Sequence, residues 1–470
     1  MFQIALSELA KVVGGTTESD SVPGDQQARG ISIDSRKVVG GNLFVAIGGE
    51  RFDGHQFVKH AAQKGAKAAV VAKDKKHTVT EQAFRGMTVI PVEDTRKALG
   101  DLASWHRQKF DLPVVAVTGT NGKTTTKDMI AQVLSARFKV LRSPASYNNL
   151  VGLPLTLFQL NSRHQVLVME LGMSSPGEIG VLTRMSNPSL GVITNIGPAH
   201  LESMRSVEKI AQAKFELPDN MHSPKTLVLN ADDRRLADRI KRKKEDERVI
   251  SFGIKKEADF AADRIELNGN GYISFRINRD LTVNLGTLGM HNVYNALAAF
   301  AVGSLLELDP EQIKRKLERY LPSELRMELV EIRGIRVIND SYNANPVSME
   351  KGLETLREIE TSGRRIAVLA DMLELGEEAE SFHLEVGKKA AVLGLDLLVA
   401  VGEHARYMAQ GAREAGMSSR NIITLVNNQE TGSYLLENLK EGDLVLVKGS
   451  RKMRTEEVVL TLKTLYGRQN

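Results

Sequence analysis

The chain has 470 residues, of which 42% are hydrophobic and 26% charged, and this composition predicts a globular protein of several domains. It has no cysteine, which excludes disulfide scaffolds, thiolate zinc sites and cysteine nucleophiles. The net charge of +5 suits anionic small molecules but is too diffuse to indicate nucleic-acid binding. We find no signal peptide and no apolar run of the roughly 18 residues that a membrane span needs, so we expect a cytoplasmic protein, which we take to be a monomer.

The first predicted domain, residues 1–108, mixes short strands and helices as a small α/β unit. ISIDSR, NLFVAI and KAAVVA have the apolar patterns of strands. DGHQFVKHAAQKGA predicts a helix that places Phe57, Ala61 and Ala62 on one face.

The second predicted domain, residues 109–320, alternates apolar strands with helical patterns. The predicted strands are PVVAVTG, QVLVMELG, LGVITNIG and TLVLNADD, and this alternation indicates a parallel sheet covered on both faces. The helix after the first strand carries an apolar stripe made of Ile130, Val133, Leu134 and Phe138.

The same domain ends with a different pattern. RIELNGNGYISFRINRDLTVNLGTL alternates with period two around an Asn-Gly turn, which predicts antiparallel strands. Two helices, at about 292–307 and 310–320, close the domain.

The third predicted domain, residues 321–470, alternates strands and helices again. Its strands are IRVIND, RRIAVLAD, LDLLVAVG, NIITLV and DLVLVKGS, so we predict a second doubly wound, Rossmann-like unit. It lacks a G-x-G-x-x-G segment, and we assign it no dinucleotide.

The segment TGTNGKTT, between an apolar strand and an amphipathic helix, predicts a phosphate-binding loop. In such loops backbone N–H groups surround the phosphates, the lysine reaches the terminal phosphates, and the hydroxyl binds magnesium. Lys123 and Thr124 take these positions. The usual pattern has one more glycine, where this chain has Val117, and a plain glycine turn is the alternative.

Two further polar residues follow predicted strands. Glu170 ends QVLVMELG and His200 follows LGVITNIG, and ligands bind at the carboxyl ends of strands in open α/β sheets. On the residues alone, an incidental acid and a structural histidine remain the alternatives. No N-K-x-D segment of a regulatory GTPase and no protein-kinase motif is present.

Together these segments resemble the Mur ligase family, the ATP-dependent amino-acid and peptide ligases of bacterial cell-wall precursor synthesis. TGTNGKTT, SYNNLVGLP, MELGM, TNIGPAHL, IAQAKFEL, GMHNVYNALAA and NDSYNANPVSM occur in the family's order over essentially the whole chain. NDSYNANPVSM, ADMLELG and VLVKGSRKM resemble the member that adds D-alanyl-D-alanine to the UDP-N-acetylmuramoyl-tripeptide. The resemblance therefore implies an acyl-phosphate mechanism that uses ATP and two magnesium ions.

The resemblance also implies roles for individual residues. For ATP these are Gly119, Thr120, Asn121, Gly122, Lys123, Thr124, Thr125, Asn292, Asn295, Arg326 and Asp340. Asn149 is implied at the reaction centre, with Asn148 as the alternative, and Thr124, Glu170 and His200 are implied as magnesium ligands. Ser35 and Arg36 are implied to bind the uridine diphosphate. Asn343, Asn345, Lys448 and Ser450 are assigned to the dipeptide, while Asp371 and His383 are balanced between functional and structural roles.

Lys214 lies in the predicted helix SVEKIAQAKFEL, with Ser206 as N-cap. It shares an apolar stripe with Val207, Ile210 and Ala211, where a charged lysine is costly unless it is paired or extends to solvent. The resemblance implies that this lysine reacts with carbon dioxide to become a carbamate, an anionic oxygen ligand for magnesium.

Overall fold

The computed structural model describes residues 2–15, 26–49, 52–78, 86–144 and 147–467. The predicted fold class is confirmed: three α/β regions follow one another along the chain, and in the described residues the first has two small sheets and the others one sheet each. The sheets lie inside the predicted ranges 1–108, 109–320 and 321–470, whose boundaries stay predictions. The first residue of SYNNLVGLP, Ser146, is outside the described residues.

Among its described residues, the first region contains short strands and three α-helices. The strands are β1 (Gln3–Ala5), β2 (Gln27–Arg29), β3 (Ile31–Ser32), β4 (Leu43–Val45), β5 (Ala68–Ala72) and β6 (Thr88–Val92). The helices are α1 (Leu6–Val12), α2 (Val58–Gln63) and α3 (Thr95–Arg107). Strands β3 to β6 are parallel neighbours in chain order, while β1 and β2 pair antiparallel.

Two local predictions in this region were wrong. ISIDSR is a strand only at Ile31–Ser32, because Asp34 accepts the backbone N–H of Arg36 and starts a 3₁₀ turn at Ser35–Lys37. Phe57 is 38% exposed and does not share the buried face of Ala61. Phe57 is the last residue of a 3₁₀ turn at Gly54–Phe57, which Asp53 caps. Because a 3₁₀ turn has fewer residues per turn than an α-helix, Phe57 does not lie on the face that the spacing of α2 predicts.

The second region contains the large central sheet. Its strands are β7 (Val114–Thr118), β8 (Val140–Arg142), β9 (Val166–Glu170), β10 (Leu190–Ile193), β11 (Lys225–Asn230), β12 (Glu247–Gly253), β13 (Phe260–Leu267), β14 (Tyr272–Ile277) and β15 (Leu281–Leu288). The helices are α4 (Lys123–Leu134), α5 (Gly152–Leu157), α6 (Glu178–Ser186), α7 (Leu201–Met204), α8 (Val207–Asn220), α9 (Arg234–Lys241), α10 (His291–Leu305) and α11 (Pro310–Glu318).

The order of this sheet is β15-β14-β13-β12-β11-β10-β7-β9-β8. Strands β7 to β12 are parallel, and β13, β14 and β15 pair antiparallel, as the change of sequence pattern predicted. Phe138 does not belong to the helical stripe, because α4 ends at Leu134 and the chain turns through residues 135–138. It packs partly buried against the core from outside the helix.

The third region is the second doubly wound unit. Its strands are β16 (Glu328–Ile332), β17 (Ile335–Asn339), β18 (Arg365–Ala370), β19 (Leu397–Val401), β20 (Ile422–Leu425) and β21 (Leu444–Lys448). The helices are α12 (Pro346–Glu358), α13 (Ala379–Val392), α14 (Ala405–Glu414), α15 (Asn428–Asn438) and α16 (Glu456–Gly467). The sheet order is β16-β17-β21-β18-β19-β20, parallel except for β16 at the edge.

The last helix of the first region, α3, is hydrogen-bonded to the second region. The buried side chain of Arg107 donates from Nε to the carbonyl of Ser186 over 3.0 Å, and His106 Nε2 lies 3.1 Å from the carbonyl of Leu160. Helix α3 is therefore a shared element of both regions. Within the described residues, every helix is too short or too polar to cross a lipid bilayer.

Candidate active site

A cavity of about 800 Å³ lies where the carboxyl ends of the central parallel strands face the third region. Nearly all of the predicted site residues line it together: Gly119, Thr120, Asn121, Gly122, Lys123, Thr124, Thr125, Asn148, Asn149, Glu170, His200, Lys214, Asn292, Asn295, Arg326, Asp340, Asn343, Asn345, Lys448 and Ser450. Ser35 and Arg36 belong to the first region and are not among the residues that line this cavity. The location matches the strand-end rule for open α/β sheets.

The phosphate loop needs glycine at two positions. Gly119 has a φ of +145°, and a Cβ there would lie 2.0 Å from Thr194 Oγ1. Gly122 has a φ of +77°, and a Cβ there would lie 2.5 Å from Asn295 Oδ1. Val117 needs no such freedom, because it is a regular, fully buried residue of β7. The loop therefore begins after Val117, and the position without glycine belongs to the strand.

Lys123 and Glu170 are two oppositely charged residues that line the cavity. Lys123 Nζ donates to the carbonyl of Thr120 over 2.9 Å, and burial lowers its pKa while Glu170 opposes the fall. Burial alone would raise the pKa of Glu170, but the Lys123 ammonium and two hydrogen bonds hold that pKa below its usual value. Those bonds come from Thr124 Oγ1 at 2.7 Å and Asn148 Nδ2 at 2.8 Å. Glu170 is thus kept as an anion, although it is only 3% exposed.

These donors fit magnesium. A buried carboxylate beside a hydroxyl oxygen is the hard oxygen set that Mg²⁺ prefers, next to a loop shaped for phosphates. Thr124 and Glu170 would hold the ion, and His200 lies on the same cavity wall. Of the two asparagines, Asn148 is the one whose side chain contacts Glu170. The side-chain oxygen of Asn149 accepts the backbone N–H groups of Val151 and Gly152 at the start of α5.

Lys214 is buried on α8, and only 3% of it is exposed. Ser206 caps this helix by accepting the backbone N–H of Lys209, and Ile210 and Ala211 share the buried face, as predicted, while Val207 of the predicted stripe is only partly buried. Within the described ranges, no hydrogen-bond acceptor or ion-pair partner is found for Lys214 Nζ. Burial, together with the Lys123 ammonium, lowers the pKa of Lys214 well below the ordinary lysine value. The site therefore favours a neutral amine facing the cavity.

The third region reaches into this site through side-chain contacts of Arg326, Asn345 and Glu374. Arg326 Nη2 donates to Thr124 Oγ1 over 3.0 Å, and its guanidinium stacks 3.8 Å from the ring centroid of Tyr342. Asn345 Nδ2 donates to Asn121 Oδ1 over 2.8 Å, so a residue predicted to bind the dipeptide contacts the phosphate loop. His200 Nδ1 lies 2.6 Å from Glu374 Oε2.

The remaining predicted residues occupy two ends of the cavity. Asn292 and Asn295 lie on one face of α10, where Asn295 Nδ2 donates to Asn292 Oδ1 over 2.8 Å. At the other end Asp340 forms a buried ion pair with Lys448, which also donates to the carbonyl of Asn343 over 3.0 Å. Ser450 lies at the end of the same segment, where its Oγ accepts the N–H of Leu373 over 2.8 Å.

Comparison with known families covers most of the chain. Residues 117–303 match the Mur ligase middle domain, residues 325–451 the Mur ligase glutamate ligase domain, and residues 27–107 the catalytic domain of the Mur ligase family. The UDP-N-acetylmuramoyl-tripeptide–D-alanyl-D-alanine ligase of Bacillus subtilis (strain 168) is 33% identical over 465 residues, which are 98% of this chain and 99% of that protein. The enzyme of that name from Escherichia coli (strain K12) is 32% identical, with 98% and 99% coverage.

The chain belongs to the Mur ligase family. Membership makes it an ATP-dependent ligase, as the phosphate loop and the segment order predicted.

Solved structures agree with this membership. A crystal structure of MurF from Acinetobacter baumannii superposes with a TM-score of 0.89 at 29% identity, covering 98% of this chain and 99% of that one. A MurF ligase from Thermotoga maritima, in complex with ADP, superposes with a TM-score of 0.81 at 28% identity, covering 94% and 99%. The arrangement of sheets in this Mur ligase is thus that of solved MurF structures, of which the Thermotoga maritima one contains ADP.

Several residues of the cavity were missed by sequence reasoning. Asn195 holds the phosphate loop, since its Oδ1 accepts the N–H of Asn121 over 2.9 Å. His291, at the start of α10, has a pKa lowered to about 4 by burial, and its Nδ1 finds no partner within the described ranges. Glu374 lies in the ADMLELG segment, which supports the family resemblance but indicated no role for this residue. The polar pair Thr194 and Asn195 after strand β10 would have indicated Asn195, whereas no local signal indicated Glu374.

Asp371 and His383 have structural contacts in this Mur ligase. The Asp371 carboxylate accepts the N–H groups of Glu403 and His404 over 2.9 and 3.1 Å. His383 Nε2 accepts the N–H of Met372 over 2.9 Å, and its Nδ1 lies 2.6 Å from the carbonyl of Ala379. Ligand atoms of Asp371, His383 and His404 lie within 4.8 Å of one another, but the His383 lone pair is already used by a backbone donor. This arrangement favours the structural alternative over a metal site.

Ser35 and Arg36 lie in a compact turn of the first region. Ser35 is 6% exposed, and its hydroxyl lies 3.0 Å from His60 Nδ1. Arg36 is bound by Asp34 through two hydrogen bonds of 2.9 Å, yet its side chain is 83% exposed. A guanidinium held beside solvent in this way is accessible to an anionic ligand.

Proposed function

We propose that this Mur ligase joins the terminal carboxylate of UDP-N-acetylmuramoyl-tripeptide to the amine of D-alanyl-D-alanine, and that ATP is cleaved to ADP and phosphate as the bond forms. Relatives that carry this name match nearly the full chain at about a third identity. The observation that carries the proposal is the cavity between the second and third regions, where a phosphate loop, a buried carboxylate and polar groups of the third region meet.

The chemistry requires an activated carboxylate, because an oxide ion is a poor leaving group. A carboxylate oxygen attacks the γ-phosphorus of ATP, the bond to ADP breaks, and an acyl phosphate forms. The amine nitrogen then attacks the acyl carbon, gives up its proton, and phosphate leaves from the tetrahedral intermediate. Positioning and charge stabilisation are the main contributions of the protein to such transfers.

Residues of this chain supply both contributions. The Lys123 ammonium would stabilise the negative charge that gathers on the γ-phosphate, beside the backbone N–H groups of the loop. Arg326 would reach the same phosphates from the third region, because it already contacts Thr124. Contact between the regions would exclude water, which would otherwise hydrolyse the acyl phosphate. Magnesium would supply further charge neutralisation when bound, and Thr124, Glu170 and His200 would be its protein ligands.

We further infer that Lys214 works as a carbamate. The ε-amine must be neutral to attack carbon dioxide, and its burial beside Lys123 favours the neutral form. The nitrogen–carbon bond that forms, with loss of one proton, turns the amine into an anion with two oxygens. Such a group suits magnesium and relieves the cost of a buried lysine that has no other partner among the described residues.

We assign the ligands to the predicted domains as follows: residues 1–108 bind the uridine diphosphate through Ser35 and Arg36, residues 109–320 bind ATP, and residues 321–470 bind the dipeptide and close on ATP. Within the cavity, Asn292 and Asn295 would contact adenine, Asp340 the ribose, and Asn149 the reaction centre. Asn343, Asn345, Lys448 and Ser450 would lie on the dipeptide side. We also infer that the enzyme is a cytoplasmic monomer.

The test is ADP release measured across a matrix of UDP-muramoyl peptides and amine acceptors. We expect release only when ATP, the tripeptide substrate and D-alanyl-D-alanine are all present. Faster release with a single amino acid as acceptor would identify a sister ligase instead. Release without either co-substrate would identify a hydrolytic ATPase, and ATP binding without any release would identify a regulatory nucleotide-binding protein.

A further inference from the structure

The contact between His200 and Glu374 joins two regions across the candidate active site. His200 Nδ1 lies 2.6 Å from Glu374 Oε2, although the residues are 174 positions apart in the chain. His200 precedes α7 in the second region, and Glu374 follows β18 in the third. Both line the cavity, so this pair is part of its wall.

The backbone of His200 is already fixed within its own region. It has a φ of +54°, a left-handed conformation that non-glycine residues seldom adopt. Its carbonyl accepts the N–H of Met204 over 2.8 Å and the hydroxyl of Ser203 over 3.1 Å. The second region therefore sets the position of the His200 backbone, while the ring is hydrogen-bonded to a residue of the third region.

A second contact, between backbone groups, holds Glu374 beside the His200 ring. Its carbonyl accepts the N–H of Glu202 over 3.1 Å, in the first turn of α7. Gly376 packs on the same turn, where a Cβ would lie 3.3 Å from Glu202 Cα. Buried Leu375 anchors the segment between them. The segment 374–376 thus docks on α7 as a unit and brings the carboxylate to Nδ1.

A carboxylate at Nδ1 decides the tautomer of a neutral histidine. An ionised carboxylate only accepts hydrogen bonds, so the ring proton must be on Nδ1 and the lone pair on Nε2. Metal-binding histidines are commonly oriented in this way by a carboxylate on the other ring nitrogen. Without Glu374, the proton can move to Nε2 and remove the lone pair that a metal needs.

We propose that Glu374 is a positioning residue for the metal site: docking of the third region places its carboxylate on His200 Nδ1 and leaves Nε2 free for magnesium. The proposal rests on the proposed function, in which His200 is a magnesium ligand. Its consequence is that the metal site of the second region is completed only when the third region has docked. Metal affinity and domain closure are then coupled through one hydrogen bond.

The test compares Glu374→Ala and Glu374→Gln with Glu377→Ala, a matched change at an exposed glutamate of the same loop. Mn²⁺ replaces Mg²⁺ as the probe, and its affinity is measured by electron paramagnetic resonance in the presence of ADP. We expect Glu374→Ala to weaken Mn²⁺ binding about 10- to 100-fold, the usual scale for losing such a partner. Glu374→Gln keeps an oxygen acceptor and should lose less, and Glu377→Ala should stay within about twofold of the parent.

A second measurement shows directly which nitrogen of the His200 ring carries the proton. In protein labelled with ¹⁵N-histidine, the His200 signals are assigned by their loss in His200→Gln. The parent with ADP should show the Nδ1–H tautomer, and Glu374→Ala should show a shift toward Nε2–H. An Nε2–H tautomer in the parent, or unchanged Mn²⁺ affinity in Glu374→Ala, overturns the proposal. The wrong acceptor in the ADP-release matrix would overturn the proposed function instead and leave the tautomer result standing.

Discussion

The phosphate loop of the second region and the Asp34–Lys37 turn of the first are both short polar segments predicted to bind phosphates, but they are built differently. The loop is held by residues distant in the chain: Thr194, Asn195 and Asn345 all bond to Asn121. The turn is held mainly by its own Asp34, which caps it and binds Arg36. A loop held by several elements keeps its geometry without ligand, whereas a turn with one exposed arginine depends on local pairing.

The largest effect is expected for Lys123→Ala, at the centre of the rigid loop. We expect kcat to fall by at least about 100-fold, or about 2.7 kcal/mol of transition-state stabilisation, the scale of losing one preorganised charged donor. Calorimetry should show unchanged binding of the UDP-linked substrate, because that ligand is assigned to the first region. Lys139→Ala, at an exposed lysine of the same region, is the control. Loss of both ATP and UDP-substrate binding would contradict the separation of the two segments.

Lys214→Ala should also leave little activity, with a distinctive rescue. If Lys214 works as a carbamate, short carboxylic acids at roughly millimolar concentration should restore part of the rate by occupying the vacated anionic position. Lys209→Ala changes an exposed lysine of the same helix and should behave as the parent with and without added acid. Full activity of Lys214→Ala, or a loss explained by unfolding in a circular dichroism melt, would contradict the carbamate.

A smaller effect is expected in the exposed turn. Ser35→Ala combined with Arg36→Ala should raise KM for the UDP substrate about tenfold, which corresponds to about 1.4 kcal/mol of lost binding. The turnover number should change little, because a contact remote from the reacting atoms acts equally in ground and transition states. Steady-state kinetics with Lys37→Ala as control would decide this. An unchanged KM would remove both residues from the binding site.

The smallest effect concerns pH and the pairing that holds the turn. The hydrogen bond from Arg36 lowers the pKa of Asp34 to about 2, below its unfolded value. A lowered carboxyl pKa stabilises the fold above the unfolded pKa, near 4, and this contribution is lost as pH falls toward 2. The difference in urea midpoint between the parent and Arg36→Ala should therefore be present at pH 6 and shrink at acid pH. A difference that grows on acidification would reverse the assigned sign.

The largest elements of the fold could be predicted because their patterns are local. Strands β7 and β9 each have five consecutive buried residues, and β14 alternates with period two. Such patterns can be recognised from neighbouring residues in the sequence. The predictions that were wrong concern ends and turns. Phe138 continues the spacing of α4 after the helix has stopped, and Phe57 belongs to a 3₁₀ turn, because single hydrogen bonds decide where an element ends.

Most of the candidate site came from the resemblance to a known family, with the phosphate loop as the main part that residue chemistry indicated by itself. Neither the family resemblance nor residue chemistry indicated a role for Glu374. Nothing near Glu374 in the sequence distinguishes it from the exposed Glu377 three positions later. Its partner, His200, is 174 residues away, and only docking of two regions brings the carboxylate to the ring.

The sequence by itself determined the fold class, the order of the elements and the phosphate loop, since these follow from hydrophobic period and from glycines placed after a strand. Only the tertiary structure decided which polar side chains pair across the cavity. Asn345 reaches Asn121, Arg326 reaches Thr124, and Glu374 reaches His200. Such pairs depend on how two regions meet, and a contact between regions leaves no periodic pattern in either one.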